Sequence, residues 1–188
     1  MTKRTIKSGP GGSETPPGGK TVGMSAVPGR FDGLRDVRAG DEAFLYDVFC
    51  STWEQEVAAM PDPRLVQHFL RIQFTSLESR LAARFPGHER YVVTHEGQDA
   101  GRVYLHRSPS VLHAIEMTLL PRFRSLGIGR RLVRDLFDEA RDHAQLVSIR
   151  VPRRNERASS LYTALGFRLV AMDDLDHYYE WNPETSPI

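Results

Sequence analysis

The stretch PRFRSLGIGRRLVR, residues 121–134, decides how the fold of this sequence is interpreted. It contains five arginines and no acidic residue, and its apolar spacing predicts that a helix begins within it. The N-terminus of a helix carries a partial positive charge, so arginines there are mildly unfavourable unless an anion offsets them. The acids that follow are Asp135, Asp138, Glu139 and Asp142. The stretch therefore predicts that a ligand supplies the missing negative charge.

A glycine-containing turn separates this helix from the apolar run before it. The run ends in the letters LLP, and Gly127 and Gly129 follow shortly afterwards. A strand, a turn and a helix in this order aim free backbone N–H groups at one point, and such a point binds anions. The spacing matches neither a Walker P-loop nor the three-glycine dinucleotide motif. We therefore expect a polyphosphate at this turn, with a solvated basic surface as the alternative interpretation.

Length and composition are those of an ordinary single domain. The chain has 188 residues, of which 40% are hydrophobic and 26% are charged, and its formal net charge is +1. A balanced charge gives little long-range attraction for nucleic acid or anionic lipid, so we expect neither nucleic acid nor a membrane as a partner. No apolar run approaches the roughly 20 residues that a membrane span needs. The single cysteine, Cys50, and the lack of a signal-peptide pattern favour a cytoplasmic location.

Residues 1–30 differ in composition from the rest of the chain. They hold seven of the fifteen glycines and four of the twelve prolines, with almost nothing apolar to bury. This composition is typical of a flexible tail. We therefore predict two regions, a flexible Gly/Pro-rich tail at 1–30 and one folded domain at 31–188.

Apolar periodicity predicts the order of helices and strands in the folded region. A first amphipathic helix follows Asp41, the predicted N-cap, and a second helix continues to Ala83. Three strand-like runs, RYVVTH, QDAGRVYLHR and VLHAIEMTLL, then predict an antiparallel meander. The helix after Pro121 has an apolar stripe, formed by Ile128, Leu132, Val133, Leu136, Phe137 and Ala140.

The C-terminal part continues with strands and one more helix. The run LVSIRVP predicts a buried strand, and Asn155 is the predicted N-cap of the helix NERASSLYTAL, which Gly166 ends. The runs FRLVAM and HYYEW predict two last strands. The predicted fold class is α/β of the α+β type, with a single mixed, mostly antiparallel central sheet flanked by helices.

Two motifs resemble those of one enzyme superfamily. The letters RSLGIG fit the pattern Q/R-x-x-G-x-G/A of its pyrophosphate loop, after a strand as that pattern requires. The segment NERASSLYTALGF, residues 155–167, fits the pattern N-x-x-A-x-x-L-Y-x-x-x-G-F of the same proteins. The sequence thus resembles the GNAT superfamily of acyl-CoA-dependent N-acetyltransferases over roughly residues 33–182. The resemblance implies a GNAT-like acyl-CoA N-acyltransferase fold.

The resemblance also implies that acetyl-CoA is the cosubstrate and where it binds. Main-chain N–H groups of the loop would hold the pyrophosphate, and the loop residues are Arg124, Ser125, Leu126, Gly127, Ile128, Gly129 and Arg130. The strand edge at Met117 and Leu119, together with Asn155 and Ala158, would hold the pantetheine arm. Arg131, like Arg130, would meet phosphates further out.

Two residues are candidates for proton transfer. Acetyl transfer to an amine needs a proton acceptor, and a donor near the departing thiolate assists it. The resemblance implies that Tyr162 is the general acid, and a phenol with a pKa near ~10 stays protonated at neutral pH. Glu116, the only acid in VLHAIEMTLL, is the candidate base, and strand alternation places it opposite His113, Ile115 and Met117. The alternatives are a packing role for Tyr162 and a structural ion pair for Glu116.

The histidines and the acceptor side give weaker signals. The seven histidines form no metal-binding motif, so we expect no metal. His106 and His113 are close in the predicted hairpin, and we expect them to be ordinary surface residues. In the family, the loop between the first two helices, here STWEQEVAAMPDP, borders the acceptor cleft. Trp53, Glu54 and Glu56 are therefore candidate contacts for a cationic amine.

The favoured function is that of an N-acetyltransferase that moves an acetyl group from acetyl-CoA to a primary amine of a small molecule or a protein. One alternative is a catalytically inactive GNAT-fold module that binds an acyl-CoA as a sensor or scaffold. Another is an unrelated nucleotide-binding protein, which would prefer ATP or NAD. A homodimer is compatible with the sequence, and the acceptor is not identified by it.

Overall fold

The structure is a computed structural model that describes residue 31 and residues 33–185 of the chain. The tail predicted at 1–30 lies outside the described residues. The strands are β1 (Leu34–Asp36), β2 (Glu89–His95), β3 (Gln98–Arg107), β4 (Val111–Leu119), β5 (Leu146–Pro152), β6 (Arg168–Met172) and β7 (Asp176–Trp181). The helices are α1 (Glu42–Cys50), α2 (Glu54–Val57), α3 (Pro63–Arg84), α4 (Ile128–Asp142) and α5 (Glu156–Ala164), with a 3₁₀ turn at Pro121–Phe123. No helix within the described ranges is long and apolar enough to cross a membrane.

All seven strands form one sheet in the order β1-β2-β3-β4-β5-β7-β6. Strands β4 and β5 pair in parallel, and the five other neighbouring pairs of the described sheet are antiparallel. The parallel pair follows from the crossover through α4, since parallel neighbours need a long connection. The predicted class, a mixed and mostly antiparallel sheet flanked by helices, is confirmed.

Helices cover both faces of the sheet. On one face, α1 and α3 bury Leu45, Phe49 and Phe74 against Val92 and Tyr104 of the sheet. On the other face, the six apolar residues predicted as the stripe of α4 are each at most 6% exposed. Burial of a large apolar side chain contributes roughly 1.5–3 kcal/mol. The stripe therefore holds the start of α4 in a fixed position beside the end of β4.

Strands β4 and β5 pair over only four residues. Their register runs from Val111 beside Leu146 to Ala114 beside Ile149. Beyond that point β5 stays paired with β7, while β4 continues to Leu119 paired with β3 on its other edge. The two strands therefore diverge, and the edge of β4 that faces β5 is open over residues 115–119.

A β-bulge in β4 redirects the side chains at the start of this opening. Tyr104 of β3 pairs with Glu116, whereas the next residue of β3 pairs with Ala114, so Ile115 is the extra residue. Ile115 packs on the α1 and α3 side, and the Glu116 carboxylate also lies on that side. Met117 packs on the α4 side. The prediction that Glu116 lies opposite Met117 is therefore confirmed, but the same prediction for His113 and Ile115 is wrong because of the bulge.

The helix starts confirm one cap prediction and correct another. Asn155 caps α5, because its side-chain oxygen accepts the N–H of Ala158 at 3.1 Å. Helix α1 begins after Asp41 as predicted, but the Asp41 carboxylate binds the Arg35 guanidinium at 2.7 Å and makes no cap bond. The segment 51–63, predicted as a loop, contains the short helix α2.

Candidate functional site

The divergence of β4 and β5 opens a cleft of about 910 Å³. Its lining comes from the α1–α2 segment, α3, the open part of β4, the turn before α4 and the start of α5. Ligand sites in proteins commonly have volumes of roughly 300–1,000 Å³. The cleft therefore has the size of a binding site for an elongated ligand.

Twelve of the thirteen site residues predicted from the sequence line this cleft. They are Glu116, Met117, Leu119, Arg124, Ser125, Gly127, Ile128, Gly129, Arg130, Asn155, Ala158 and Tyr162. The thirteenth, Leu126, is outside the lining, and its side chain is more than half exposed. Arg131 is also outside the lining, since its guanidinium packs beside Gly33 of the β1 region. Contact of Arg131 with phosphates further out stays a prediction.

The turn before α4 leaves the start of this helix open to the cleft. Gly127 is the N-cap residue, with a φ of +81° in the left-handed region that favours glycine. Glycine has no side chain that could cap the helix, and the first N–H groups of a helix have no partner within the helix. These N–H groups, the positive end of the helix dipole and the charge of Arg130 therefore have the chemistry that favours an anion at this end of the cleft.

Two arginines beside the turn are bound to other parts of the protein. Arg124 donates through Nε to the Leu119 carbonyl at 2.9 Å and through Nη2 to the Ser51 carbonyl at 3.4 Å. Arg157 of α5 donates to Ser125 Oγ at 2.6 Å. These contacts connect the turn to the end of α1 and to α5. Arg157 was not singled out from the sequence, although it belongs to the second motif.

Tyr162 reaches the cleft from α5 and is only 6% exposed. Its ring packs edge-on against Phe167, with 5.4 Å between the centroids, and lies 6.4 Å from the ring of Tyr179. Burial, and after it the negative charge of Glu116, raises the pKa of the Tyr162 hydroxyl well above its usual value. The hydroxyl is therefore protonated at neutral pH and can donate a hydrogen bond to a developing anion.

Glu116 is paired with an arginine inside the protein. The side chain of Arg102 on β3 is 1% exposed, with Nη2 3.4 Å from Glu116 Oε2 and Nη1 3.7 Å from Glu78 Oε1. Three rings lie 5.1–5.8 Å from its guanidinium carbon, those of Phe49, Phe74 and Tyr104. A buried charge is stable only when it is paired, so this contact fixes the Glu116 carboxylate beside the cleft. Arg102 was missed, and its signal was one charged residue within the otherwise apolar stretch 100–105.

We expect Arg102→Gln to lower the free energy of unfolding by about 3 kcal/mol. This is the lower end of the range for breaking a buried ion pair, because Glu78 and Glu116 are each about one-fifth exposed. Chemical denaturation of the two proteins measures the difference. The control is Arg71→Gln, since Arg71 is exposed and lies 3.8 Å from the Tyr46 ring centre, and its loss should stay below about 1 kcal/mol. Equal losses would contradict the structural importance of Arg102.

His106 and His113 are not ordinary surface residues. Their rings stack at 5.9 Å, and both lie about 5.5 Å from the ring of Phe85 at the end of α3. His113 Nδ1 is 2.6 Å from Ser148 Oγ, and burial, followed by repulsion from His106, lowers the pKa of His113. The prediction was wrong because β5 and the end of α3 cover this part of the hairpin. Across residues 33–185, no three potential ligands are grouped so that they could hold a metal ion.

The α1–α2 segment forms one wall of the cleft. Trp53 packs edge-on against Phe69 of α3, with 5.4 Å between the ring centres. Glu56 forms an ion pair with Arg154 at 2.9 Å, and the Arg154 guanidinium carbon is 5.8 Å from the Trp53 ring. Glu54 also lines the cleft. The predicted contacts are therefore placed at the cleft, but Glu56 is already neutralised by an arginine of the protein.

Comparison with known sequences gives one family match. Residues 86–169 match the family profile described as an acetyltransferase (GNAT) domain. The matched range contains both the turn before α4 and α5, which carry the two motifs. A comparison with curated proteins found no significant match.

Solved acetyltransferase structures share the fold. The PaiA N-acetyltransferase from Thermoplasma acidophilum, in complex with coenzyme A, aligns with a TM-score of 0.60 and 15% identity over 79% of this chain and 97% of its own. An acetyltransferase from Thermus thermophilus aligns with a TM-score of 0.57 and 18% identity over 79% of this chain and 95% of its own. A GNAT family acetyltransferase from Elizabethkingia anophelis, with acetyl-CoA bound, aligns with a TM-score of 0.50 and 15% identity over 79% of this chain and 96% of its own. At these identities the likeness shows the fold.

Proposed function

Since residues 86–169 match the profile of the GNAT acetyltransferase domain, we propose that this chain is an enzyme that transfers an acetyl group from acetyl-CoA to a primary amine. The observation that carries the proposal is the divergence of β4 and β5. It brings an open strand edge, an uncapped helix start and a buried tyrosine hydroxyl into one cleft. Each of these features meets one requirement of acetyl-CoA binding or of acetyl transfer.

The cosubstrate lies along the cleft from α4 to the open edge of β4. Its pyrophosphate binds the N–H groups that follow Gly127, and Arg130 adds a favourable charge. The pantetheine arm carries amide groups, so it can pair with residues 115–119 as an added strand would. Asn155 uses its side-chain oxygen to cap α5, which leaves its NH₂ group for the arm. Leu126 contributes through its backbone.

The reaction forms an N–C bond and breaks the C–S bond of the thioester. The neutral amine attacks the thioester carbonyl, and the proton that it loses passes to Glu116, directly or through a water molecule. The Tyr162 hydroxyl donates to the departing thiolate and offsets the charge that develops on sulfur. Arg102 acts through Glu116, because it holds that carboxylate in position.

The second candidate is a GNAT-fold module that binds an acyl-CoA without transferring it. Such a module would use the same turn and the same strand edge, but it would need neither the Glu116 carboxylate nor the Tyr162 hydroxyl. The placement of both groups along one cleft favours the enzyme. A cytoplasmic location and a homodimer remain part of the proposal on the strength of the sequence.

We expect acetyl-CoA to raise the melting temperature of the protein. A ligand that binds only the folded state adds ~2.7 kcal/mol of stability at a hundredfold excess over its Kd. ATP and NAD at the same concentration are the controls, and they should raise it much less. An amine panel, followed through release of the free CoA thiol, then tests transfer. Equal stabilisation by the three ligands would contradict a CoA site, and binding without thiol release from any amine would favour the sensor.

A further inference from the structure

One part of the cleft faces α3 and has its own chemical character. We call it the acceptor pocket and define it by the lining residues Phe49, Gln73, Leu77, Arg80, Ile115 and Glu116. The three residues from α3 are spaced by four and by three, so they share one face of the helix. This face presents an amide, an apolar group and a guanidinium to the pocket.

The positive charge of Arg80 has no carboxylate partner among the residues that the structure describes. Its side chain is exposed, and no hydrogen bond, ion pair or ring contact joins it to another residue in the range 33–185. Two other arginines on this side of the cleft, Arg102 and Arg154, are each paired with carboxylates of the protein. A ligand anion in the acceptor pocket would therefore meet Arg80.

Glu116 supplies the opposite charge in the same pocket. Its carboxylate is about one-fifth exposed and lies on the face of the sheet that α3 covers. The walls around these two charges are apolar and come from Phe49, Leu77 and Ile115. An anion, a cation and apolar walls in one pocket match a small molecule that has an ammonium group, a carboxylate and an apolar side chain.

We propose that the acceptor is a free amino acid with an apolar side chain. The inference rests on the proposed acetyl transfer, and it adds the class of the amine. The amino group lies beside Glu116, next to the thioester on the open edge of β4. The carboxylate binds the Arg80 guanidinium, and the Gln73 amide lies on the same helix face to assist it.

The bonds and protons of this step balance. The bound ammonium group first loses one proton to solvent; the neutral amino nitrogen then forms a bond to the acetyl carbon, and the C–S bond breaks. Glu116 takes the proton from nitrogen, sulfur takes the proton of Tyr162, and proton exchange with solvent restores both residues. The products are an N-acetyl amino acid, which keeps its carboxylate, and CoA as the free thiol.

Other amines fit the pocket less well. A diamine would bring a second cation towards Arg80, and like charges repel. A lysine side chain of a protein has no carboxylate close to its amine, so the Arg80 charge would stay unpaired. The pocket therefore favours amino acids over both of these acceptors.

Matched pairs of acceptors test the inference. L-phenylalanine and 2-phenylethylamine differ only in the carboxylate, as do L-leucine and 3-methylbutylamine. We expect release of CoA thiol with both amino acids. In Arg80→Gln the kcat/KM for the amino acids should fall about tenfold, mainly through KM, because a charge-assisted hydrogen bond is lost. The values for the two simple amines should not change.

Arg80→Lys and Arg84→Gln are the matched variants. Lysine keeps the charge and should restore part of the amino-acid activity. Arg84 lies one turn further along α3 and outside the cleft lining, so its replacement should leave both kinds of acceptor unaffected. Each variant is compared with wild type on the same acceptor. The difference in basicity between an amino acid and a simple amine therefore cancels.

The possible failures can be told apart. Transfer to the simple amines but not to the amino acids would overturn the inference and leave the proposed function intact. An equal loss with both members of a pair in Arg80→Gln would also overturn it, because Arg80 would then not recognise the carboxylate. Binding of acetyl-CoA with no thiol release from any acceptor would overturn the proposed function itself.

Discussion

Tyr162→Phe should lower kcat by about 10²–10⁴-fold while acetyl-CoA affinity and melting temperature barely change. The range is that of general-acid assistance, and the interaction that is lost forms chiefly in the transition state. Phenylalanine keeps the ring that packs against Phe167, so the core around α5 is preserved. Steady-state kinetics with an acceptor from the amine panel, together with thermal melts, measure the three quantities.

Tyr179→Phe is the matched control for this prediction. Tyr179 is a buried tyrosine in the same core, 6.4 Å from the Tyr162 ring, but it does not line the cleft. Its replacement should leave kcat close to that of wild type. If Tyr162→Phe retains wild-type kcat at every pH, the tyrosine is a packing residue and the thiolate leaves without its help.

Gly129→Val should weaken acetyl-CoA binding by about 100-fold or more, with little change in melting temperature. Gly129 lies in the first turn of α4 and lines the cleft, so a branched side chain there would obstruct the approach of the pyrophosphate. A Cβ at this position would meet Leu161 Cδ2 at 3.9 Å, which is an ordinary contact, so the fold has room for it. Calorimetric titration with acetyl-CoA measures the change.

Two further variants, Gly129→Ala and Gly127→Val, help to interpret this result. Alanine is smaller and should cost less affinity than valine at the same position. Valine at Gly127 would disturb the turn itself, because its φ of +81° is strongly unfavourable for a β-branched residue. Loss of binding there would thus not separate obstruction from misfolding. A Gly129→Val protein that binds acetyl-CoA normally would show that the pyrophosphate does not contact this turn.

Local chemistry explains what could be predicted from the sequence. The glycine turn before α4 depends on residues that are neighbours in the chain, and so does the cap that Asn155 forms with Ala158. The stripe of α4 follows from a regular spacing over four turns. Each of these features is decided within about fifteen residues, and the structure has each of them where it was predicted.

Features that depend on distant partners could not be predicted. The bulge at Ile115 arises from the pairing of β4 with β3, and a strand pattern read alone contains no sign of one extra residue. The Asp41 carboxylate binds the Arg35 guanidinium and the backbone N–H of Arg38, both outside its own helix. Arg102 joins residues from α3 and β4, which only the folded chain brings together.

The open edge of β4 also bears on how this protein avoids self-association. Unpaired edges normally occur at the margins of a sheet, where another chain can add a strand and start an aggregate. Here residues 115–119 form an unpaired edge in the interior of the sheet, between β3 and the diverging β5. The start of α5 and the α1–α2 segment line the cleft beside this edge. The edge thus lies between two strands of its own sheet and not at the margin, where another chain would pair.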